Sequence, residues 1–245
     1  MAYITVTLNN GETLDALPND AETAAEVVHI EGDIDLEGYA HPLPSLQTID
    51  GDAYFWDYDF SLPSLTVIGR DAYLQGSECA LPALEEIRGD ALFYSYEHSL
   101  PSLRRIGKNA YFHGYDYFLP SLEHIGASYD LWLYEHPLQA LREIVGYVSL
   151  IGYAHPLPSL IYLGGNACLG GYDHIPAWIG YVGKCFRGYS FWADLARGLV
   201  RGGCRSFTPE QALAHWGPGG KSDQADCLAL AKKAIALITE GRSQL

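Results

Sequence analysis

Basic residues are scarce in this chain of 245 residues. Lys and Arg total 15 against 30 Asp and Glu, so the formal net charge is −15. The imbalance is uneven, because residues 24–174 carry 21 acidic and 6 basic side chains while residues 175–245 carry 9 basic and 5 acidic. An acidic surface repels the phosphates of nucleic acid and attracts basic partners. We therefore expect a basic protein partner and no direct binding of nucleic acid.

Long apolar runs are missing as well. No segment reaches the roughly 20 apolar residues needed to cross a bilayer. The first 15 residues, MAYITVTLNNGETLD, have neither the basic start nor the apolar stretch of a signal peptide. We expect no membrane association and a cytoplasmic location in a bacterial host cell.

Cysteines and catalytic motifs are few. An odd number of scattered cysteines without a C-x-x-C pair favours reduced thiols over a disulfide framework or a zinc site. The sequence has no G-x-S-x-G, no phosphate-cradling G-x-x-x-x-G-K-[ST] and no H-E-x-x-H motif. We expect neither a cofactor nor a metal, and we predict that the chain is not an enzyme. The cysteines are Cys79, Cys168, Cys185, Cys204 and Cys227.

One motif is present in abundance. The pattern L-P-S-L-x-x-I-G recurs every 19 residues, with its first leucine at Leu43, Leu62, Leu81, Leu100, Leu119, Leu138 and Leu157. Such constant spacing is typical of a structural unit stacked on copies of itself. With this leucine as position one, the register runs from 24 to 187. Residues 1–23 are predicted as an N-terminal cap and residues 188–245 as a C-terminal helical cap or interaction segment.

The repeat separates inward from outward positions. Positions one, four, seven and thirteen are large and apolar, and position eleven is mostly alanine, so eleven and thirteen alternate with twelve and fourteen as in a strand. Pro at position two and Gly at position eight or nine mark bends. We predict a mainly β fold: a single-chain β-solenoid of about eight 19-residue coils, each with two short strands. At a rise of ~4.8 Å per coil, the rod is about 40 Å long.

The repeat resembles a known family. The run LPSLTVIG at 62–69, followed by Ala72, Tyr73 and Gly76, is similar to BspA-like leucine-rich repeats, whose units read L-P-x-x-x-x-I-G-x-x-A-F-x-G-C. The resemblance covers roughly two thirds of the chain. The repeat here is shorter and often has Tyr where that family has Cys, so an arc and a straighter closed solenoid both stay open. The family implies binding rather than catalysis and names no partner.

The carboxyl-terminal segment has helical signals. Thr208, Pro209 and Gln211 form a capping-box pattern that predicts a short helix to about Trp216, and a second helix is predicted from about 223 to 240. Both helices are expected to cover the open end of the solenoid near Trp178. Residues 203–216 are similar to C-terminal modules of repeat proteins encoded by phages and prophages.

Acidic residues form two columns along the repeat. Like charges one coil apart repel by about 3 kcal/mol per pair at ~5 Å before screening, for an effective dielectric near 20. An uncompensated column therefore points to a partner. At position ten an alternative is preferred, in which Asp caps a turn by accepting backbone N–H bonds. Position seventeen holds Asp59, Glu78, Glu97, Asp116 and Glu135, and position ten holds Asp33, Asp52, Asp71 and Asp90.

Aromatic residues concentrate in the middle coils at positions twelve and fourteen. Next to carboxylates they suit Arg and Lys side chains through cation–π contacts, or sugar rings by stacking. The alternative is that the C-terminal segment or a second copy of the chain covers them, the latter as a homodimer. The candidate residues are Tyr54, Trp56, Tyr73, Tyr94, Tyr111 and Trp132, with His113 beside them.

Tyrosine recurs at position sixteen and histidine at position eighteen. A stacked ring ladder at a corner is most simply structural. Zinc would need imidazole nitrogens converging at ~2.1 Å, so the repeated corner is the preferred explanation of the histidines too.

These observations favour a non-enzymatic protein-protein interaction protein. The hypothesis is a phage-encoded inhibitor that acts as a nucleic-acid mimic in counter-defence, binding a basic, nucleic-acid-binding host protein through its acidic and aromatic face. Two columns with one charge per ~4.8 Å reach nearly half the charge density of duplex DNA, which has one charge per ~1.7 Å. The alternative is a glycan-binding or virion-surface repeat module. A third option is a structural repeat that pairs only with itself.

Overall fold

The computed structural model describes residues 4–128, 131–164, 167–220 and 225–242, and it confirms the mainly β fold. The repeat region is a β-solenoid of about seven turns. Sequence predicts about eight coils, and the difference lies in the counting. The eight stacked rungs from Ile30 to Leu163 enclose seven steps of 19 residues.

The N-terminal segment closes the first coil. It comprises β1 (Thr5–Leu8), β2 (Thr13–Leu14), α1 (Ala21–Ala25) and β3 (Val27–Glu31). Strand β1 pairs antiparallel with both β2 and β3, with Val6 opposite Ile30. Asp20 caps α1 by accepting a 2.8 Å hydrogen bond from the Thr23 N–H.

The solenoid wall consists of short parallel strands in register. They are β4 (Ile34–Asp35), β5 (Thr48–Ile49), β6 (Ala53–Tyr54), β7 (Val67–Ile68), β8 (Ala72–Tyr73), β9 (Glu86–Ile87), β10 (Ala91–Leu92), β11 (Arg105–Tyr111), β12 (His124–Ala127), β13 (Glu143–Ile144), β14 (Val148–Ser149), β15 (Tyr162–Leu163) and β16 (Ala167–Cys168), with a 3₁₀ helix at Leu131–Leu133.

Two sheets arise from these strands. The first contains β3, β5, β7, β9, β11, β12, β13 and β15, and the second contains β4, β6, β8, β10 and the end of β11. Strands β14 and β16 continue the second wall as a separate pair. In the coils whose two strands are both described, positions six and seven therefore lie in the first sheet, and positions eleven and twelve lie in the second sheet or in its continuation β14–β16.

The core follows the predicted inward positions. In the coil that begins at Leu43, the side chains of Leu46, Ile49, Ala53 and Phe55 are fully buried together with that leucine. The equivalent residues of the other coils continue this single apolar column. Burial of several aliphatic and aromatic side chains per coil, each contributing about 1.5–3 kcal/mol, offsets the small number of hydrogen bonds in two-residue strands.

The glycines at positions eight and nine serve close stacking. A Cβ placed on Gly107 would lie 2.2 Å from the carbonyl oxygen of Arg88 in the preceding coil, and Gly69 is equally crowded by Asp50. The bends that the sequence predicts at these glycines are confirmed at residues 50–51, 69–70 and 88–89. A separate left-handed turn lies at position fifteen, where Gly76 and Gly114 have φ of 63° and 71°.

A small α+β unit follows the solenoid. It contains the antiparallel strands β17 (Ile179–Lys184), β18 (Ser190–Asp194), β19 (Leu199–Gly202) and β20 (Arg205–Phe207), and the helices α2 (Pro209–Trp216) and α3 (Ala225–Arg242). The predicted capping box is confirmed, since Thr208 Oγ1 accepts from the Gln211 N–H at 3.3 Å and Gln211 Oε1 accepts from the Thr208 N–H at 3.0 Å. Within the described ranges, no helix combines the length and apolar character required to cross a bilayer.

The sheet of this unit, and not its helices, covers the open end of the solenoid. Trp192 and Ile179 join the solenoid core, whereas Phe191 and Ala193 pack with the helices on the opposite face. The Trp178 indole donates a 2.8 Å hydrogen bond to the Leu160 carbonyl of the last coil. The predicted C-terminal helical segment is present, but the sheet lies between it and the solenoid: alternation along β18 gives the sheet two apolar faces, and the helices pack on the outer one.

Candidate interaction surface

The position-ten aspartates link successive coils. The Asp33 carboxylate accepts a 2.9 Å hydrogen bond from the Asp52 N–H, Asp52 accepts from the Asp71 N–H at 3.0 Å, and Asp71 accepts from the Asp90 N–H at 2.8 Å. Asp90 accepts from both the backbone and the side-chain amide of Asn109. Hydrogen bonds to a charged acceptor typically contribute about 1.5–3 kcal/mol.

This ladder favours the capping interpretation of position ten, with one difference. The N–H that each aspartate accepts belongs to the next coil and not to its own turn. Cations also neutralise the ladder, since Arg70 lies 3.7 Å from Asp33 and Lys108 lies 3.6 Å from Asp71. Asp52, Asp71 and Asp90 therefore have a structural use, and any contact they make with a partner is secondary.

The position-seventeen carboxylates are arranged differently. Asp59, Glu78, Glu97, Asp116 and Glu135 are all exposed, and together they are named the acidic column. Among the residues that the structure describes, four of these carboxylates form no ion pair, and the Asp116 carboxylate lies 2.7 Å from Nε2 of His136.

Basic residues of the rod lie elsewhere on the coil. All six Lys and Arg side chains of residues 24–174 occupy positions five to nine, on and beside the first sheet: Arg70, Arg88, Arg104, Arg105, Lys108 and Arg142. All but Arg142 pair there with acids, as in Arg104–Glu123 at 3.1 Å and Arg105–Glu86 at 3.4 Å. Among the described residues, most acids of the first sheet are thus paired, whereas four of the five carboxylates of the acidic column are not.

Buried tyrosines fix the backbone next to the acidic column. Tyr96 and Tyr115 stack with ring centroids 6.2 Å apart, and the Tyr96 hydroxyl donates a 2.8 Å hydrogen bond to the Cys79 carbonyl of the preceding coil. Burial raises the pKa of these phenols, to about 12 for Tyr172 and further for Tyr96 and Tyr115. Because position sixteen points inward, position seventeen points to solvent.

In one coil a cysteine at position eighteen, Cys79, fills the space of a missing tyrosine ring. Ser77 interrupts the tyrosine column, and the fully buried Cys79 lies close to Tyr58 and Tyr96 on either side of the gap. Burial raises the pKa of the Cys79 thiol to about 12. This cysteine is a packing residue.

The histidines of position eighteen belong to the same wall. Nε2 of His155 lies 2.6 Å from the Glu135 carbonyl oxygen, and Nε2 of His174 lies 3.0 Å from that of Ala154. Each imidazole also meets the preceding tyrosine edge-on, with centroids 5.8 Å apart for Tyr153 and His155. These contacts agree with a structural column.

The aromatic band forms two clusters. Tyr54 and Tyr73 stack at 4.3 Å, and Trp56, 39% exposed, meets Tyr54 edge-on. The hydrogen bond between the two phenols is the main cause that raises the pKa of Tyr73 to about 12. Tyr94 and Tyr111 form the second cluster with centroids 6.1 Å apart. The side chain of Trp132, the remaining candidate, lies outside the described residues.

The C-terminal helices leave the aromatic band uncovered. Helices α2 and α3 pack on β17–β20 and on each other, at the end of the rod. The alternative in which the C-terminal segment covers the aromatic residues of the middle coils is therefore wrong.

Three exposed aromatic residues beside the acidic column were not predicted as site residues from the sequence. Phe60 and Tyr117 occupy position eighteen, each 37% exposed, and Phe118 follows at 57%. The sequence marks Phe60 and Tyr117, because they stand at a position that is His in most other coils. Together with the acidic column, these rings form a surface that can bind several Lys or Arg side chains at once.

Comparison of the chain with protein-family models, curated proteins and solved structures finds no match. The acidic column and the aromatic residues beside it are therefore the basis for its proposed function.

Proposed function

We propose that the protein is a non-enzymatic interaction protein that binds a basic protein through the acidic column. The observation that carries the proposal is the separation of charge around the coil. Five exposed carboxylates follow one line, while every Lys and Arg of residues 24–174 lies at positions five to nine. Selection for solubility alone requires no such separation, since mixed charges serve it equally well.

The spacing of the acidic column supports mimicry of one nucleic-acid strand. Its charges recur once per coil, at ~4.8 Å, and phosphates recur at ~3.4 Å along each strand of duplex DNA. With the position-ten aspartates engaged in the stack, a single column remains, and its linear charge density is about 0.7 of one DNA strand. The partner proposed is therefore a nucleic-acid-binding protein whose Lys and Arg side chains follow a phosphate backbone.

The proposal extends to the kind of interaction protein and to its origin. The resemblance to BspA-like leucine-rich repeats supports binding rather than catalysis, and the resemblance of residues 203–216 to phage modules supports a phage-encoded inhibitor. Its place of action would be the cytoplasm of a bacterial host, where it would occupy the nucleic-acid site of a host protein.

A second candidate rests on the first aromatic cluster. Trp56 is exposed beside the stacked Tyr54 and Tyr73, an arrangement that supports stacking on sugar rings in a glycan-binding or virion-surface module. The stack between Tyr54 and Tyr73 argues against the glycan-binding alternative, because a ring face that packs on the neighbouring tyrosine is not available to a sugar.

Charge reversal tests the proposal. The triple variant Glu78→Lys, Glu97→Lys, Glu135→Lys breaks the acidic column, and the triple variant Glu31→Lys, Glu85→Lys, Glu240→Lys makes the same net charge change on other exposed positions. Each protein is immobilised and exposed to a bacterial lysate.

We expect the wild type and the matched control to retain the same basic, nucleic-acid-binding protein, which duplex DNA displaces. The column variant should retain at least ~10-fold less of it, because close charge pairs across interfaces couple by more than ~1.4 kcal/mol. Equal capture by the column variant would overturn the proposal, and capture of glycans by all three proteins would support the second candidate.

A further inference from the structure

Three metal-ligating side chains converge in the C-terminal unit, far along the chain from the acidic column. Cys185 follows β17 in the turn to β18, and Asp226 and Cys227 lie in the first turn of α3. Both sulfur atoms and a carboxylate oxygen of Asp226 lie within 4.8 Å of one another. Tetrahedral zinc with Zn–S bonds of ~2.3 Å requires sulfur atoms ~3.8 Å apart. The three donors are thus close to the spacing that one ion needs.

The surroundings hold these donors in place. The Phe186 N–H donates a 2.6 Å hydrogen bond to Asp226 Oδ2, which orients the carboxylate. Two hydrogen bonds close the turn that carries Cys185. The Cys185 N–H donates to the Tyr189 carbonyl at 3.0 Å, and the Gly188 N–H donates to the Cys185 carbonyl at 2.8 Å. Both thiols are buried, and Asp226 is half-buried.

A cavity adjoins the cluster. Cys227 also lines a space of about 210 Å³, together with Cys204, Arg187, Arg205 and His215. An ion held by three protein ligands has one open position, and the cavity reaches the cluster at Cys227. Three protein ligands with one open position are the arrangement of reactive zinc sites, whereas structural sites are closed by four.

We propose that Cys185, Asp226 and Cys227 bind a zinc ion that joins the β17–β18 turn to α3. Two thiolates select a soft metal over calcium or magnesium, which prefer oxygen ligands. No C-x-x-C motif marks this site in the sequence, because Cys185 precedes Asp226 and Cys227 by more than 40 residues and meets them only in the fold. This site is independent of the acidic column and of the partner proposed for it.

The test uses the full-length protein, purified under reducing conditions and dialysed. We expect about one zinc per chain by elemental analysis, and, after exchange with Co²⁺, thiolate-to-cobalt charge-transfer bands with tetrahedral d–d absorption. Cys185→Ser and Cys227→Ser should lose these bands, and Asp226→Asn should weaken metal affinity at least ~10-fold. The matched control Cys168→Ser removes a half-buried thiol of the solenoid wall and should keep them.

Two results would overturn the proposal. One is wild-type protein that takes up neither zinc nor cobalt above the level of Cys185→Ser. The other is a disulfide between Cys185 and Cys227 in the freshly purified protein, found by peptide mass mapping without reduction. Far-ultraviolet circular dichroism of every variant shows that a lost metal signal reflects lost ligands, and a chelator should lower the Tm of the wild type while leaving that of Cys227→Ser unchanged.

Discussion

Single oxygen atoms of the position-ten aspartates link one coil to the next. Asp71 accepts the Asp90 N–H, and at the end of the ladder Asn109 replaces aspartate. An amide oxygen retains the acceptor, whereas alanine leaves a half-buried N–H without its partner.

We predict that Asp71→Ala lowers the free energy of unfolding by about 1–3 kcal/mol and that Asp71→Asn lowers it by less than ~1 kcal/mol. Urea unfolding followed by circular dichroism measures both. Equal losses in the two variants would show that the charge of Asp71, and not its acceptor oxygen, is what matters.

The buried phenols predict an alkaline limit to stability. Their folded-state pKa values are raised above 10, so their contribution is fully present below pH ~10 and is lost at higher pH, where the unfolded chain releases protons that the folded chain keeps. The column tyrosines should ionise only together with the loss of the circular dichroism signal. A tyrosinate signal of full amplitude for all 18 tyrosines near pH 10, with unchanged circular dichroism, would contradict this.

How far individual residues could be predicted depended on whether their partners share their coil. The inward positions one, four, seven and thirteen follow from periodicity alone, because burial repeats with the chain. The acceptor role of Asp71 could be anticipated, but the identity of its donor could not, since the N–H of Asp90 lies one coil away. The exposure of Phe118 likewise depends on neighbours that only the stack supplies.

At the scale of elements, the corner between the two sheets limits how closely coils approach. Gly107 faces the Arg88 carbonyl at a distance that leaves no room for a Cβ, while Gly76, in the left-handed turn, has open space around it. The two glycines are needed for different reasons, steric in the first case and conformational in the second.

We predict that Gly107→Ala lowers the free energy of unfolding by at least ~3 kcal/mol, because the coils must separate to admit the methyl group. Gly76→Ala, the matched control, should cost about 1–2 kcal/mol from its positive φ alone. Urea unfolding midpoints compare them, and an equal or smaller loss for Gly107→Ala would refute the steric account.

The C-terminal elements were only partly predictable. Helix α2 follows from the capping box at Thr208, whose signal is local. The sheet β17–β20 was missed because its alternation serves two cores at once, with Trp192 on one side and Phe191 on the other. Without the second core in view, such a strand has no single apolar face to detect.

At the scale of the whole molecule, charge is distributed around the coil and not along it. Among the described residues, most charged side chains on and beside the first sheet form ion pairs, whereas four of the five carboxylates of the acidic column form none. The sequence showed the total charge and the columns, but the segregation of cations became visible only when positions five to nine were placed on a different wall. Repulsion within the column lowers stability without a partner, and a bound basic protein would relieve it.

The salt dependence of partner binding tests the central claim most directly. The association constant of the captured protein is measured by calorimetry between about 50 and 200 mM salt for the wild type and for the variant Glu78→Lys, Glu97→Lys, Glu135→Lys. We expect wild-type affinity to fall at least ~10-fold over this range and the variant to show weak binding with little salt dependence. An affinity that is unaffected by salt and equal in both proteins would contradict recognition through the acidic column.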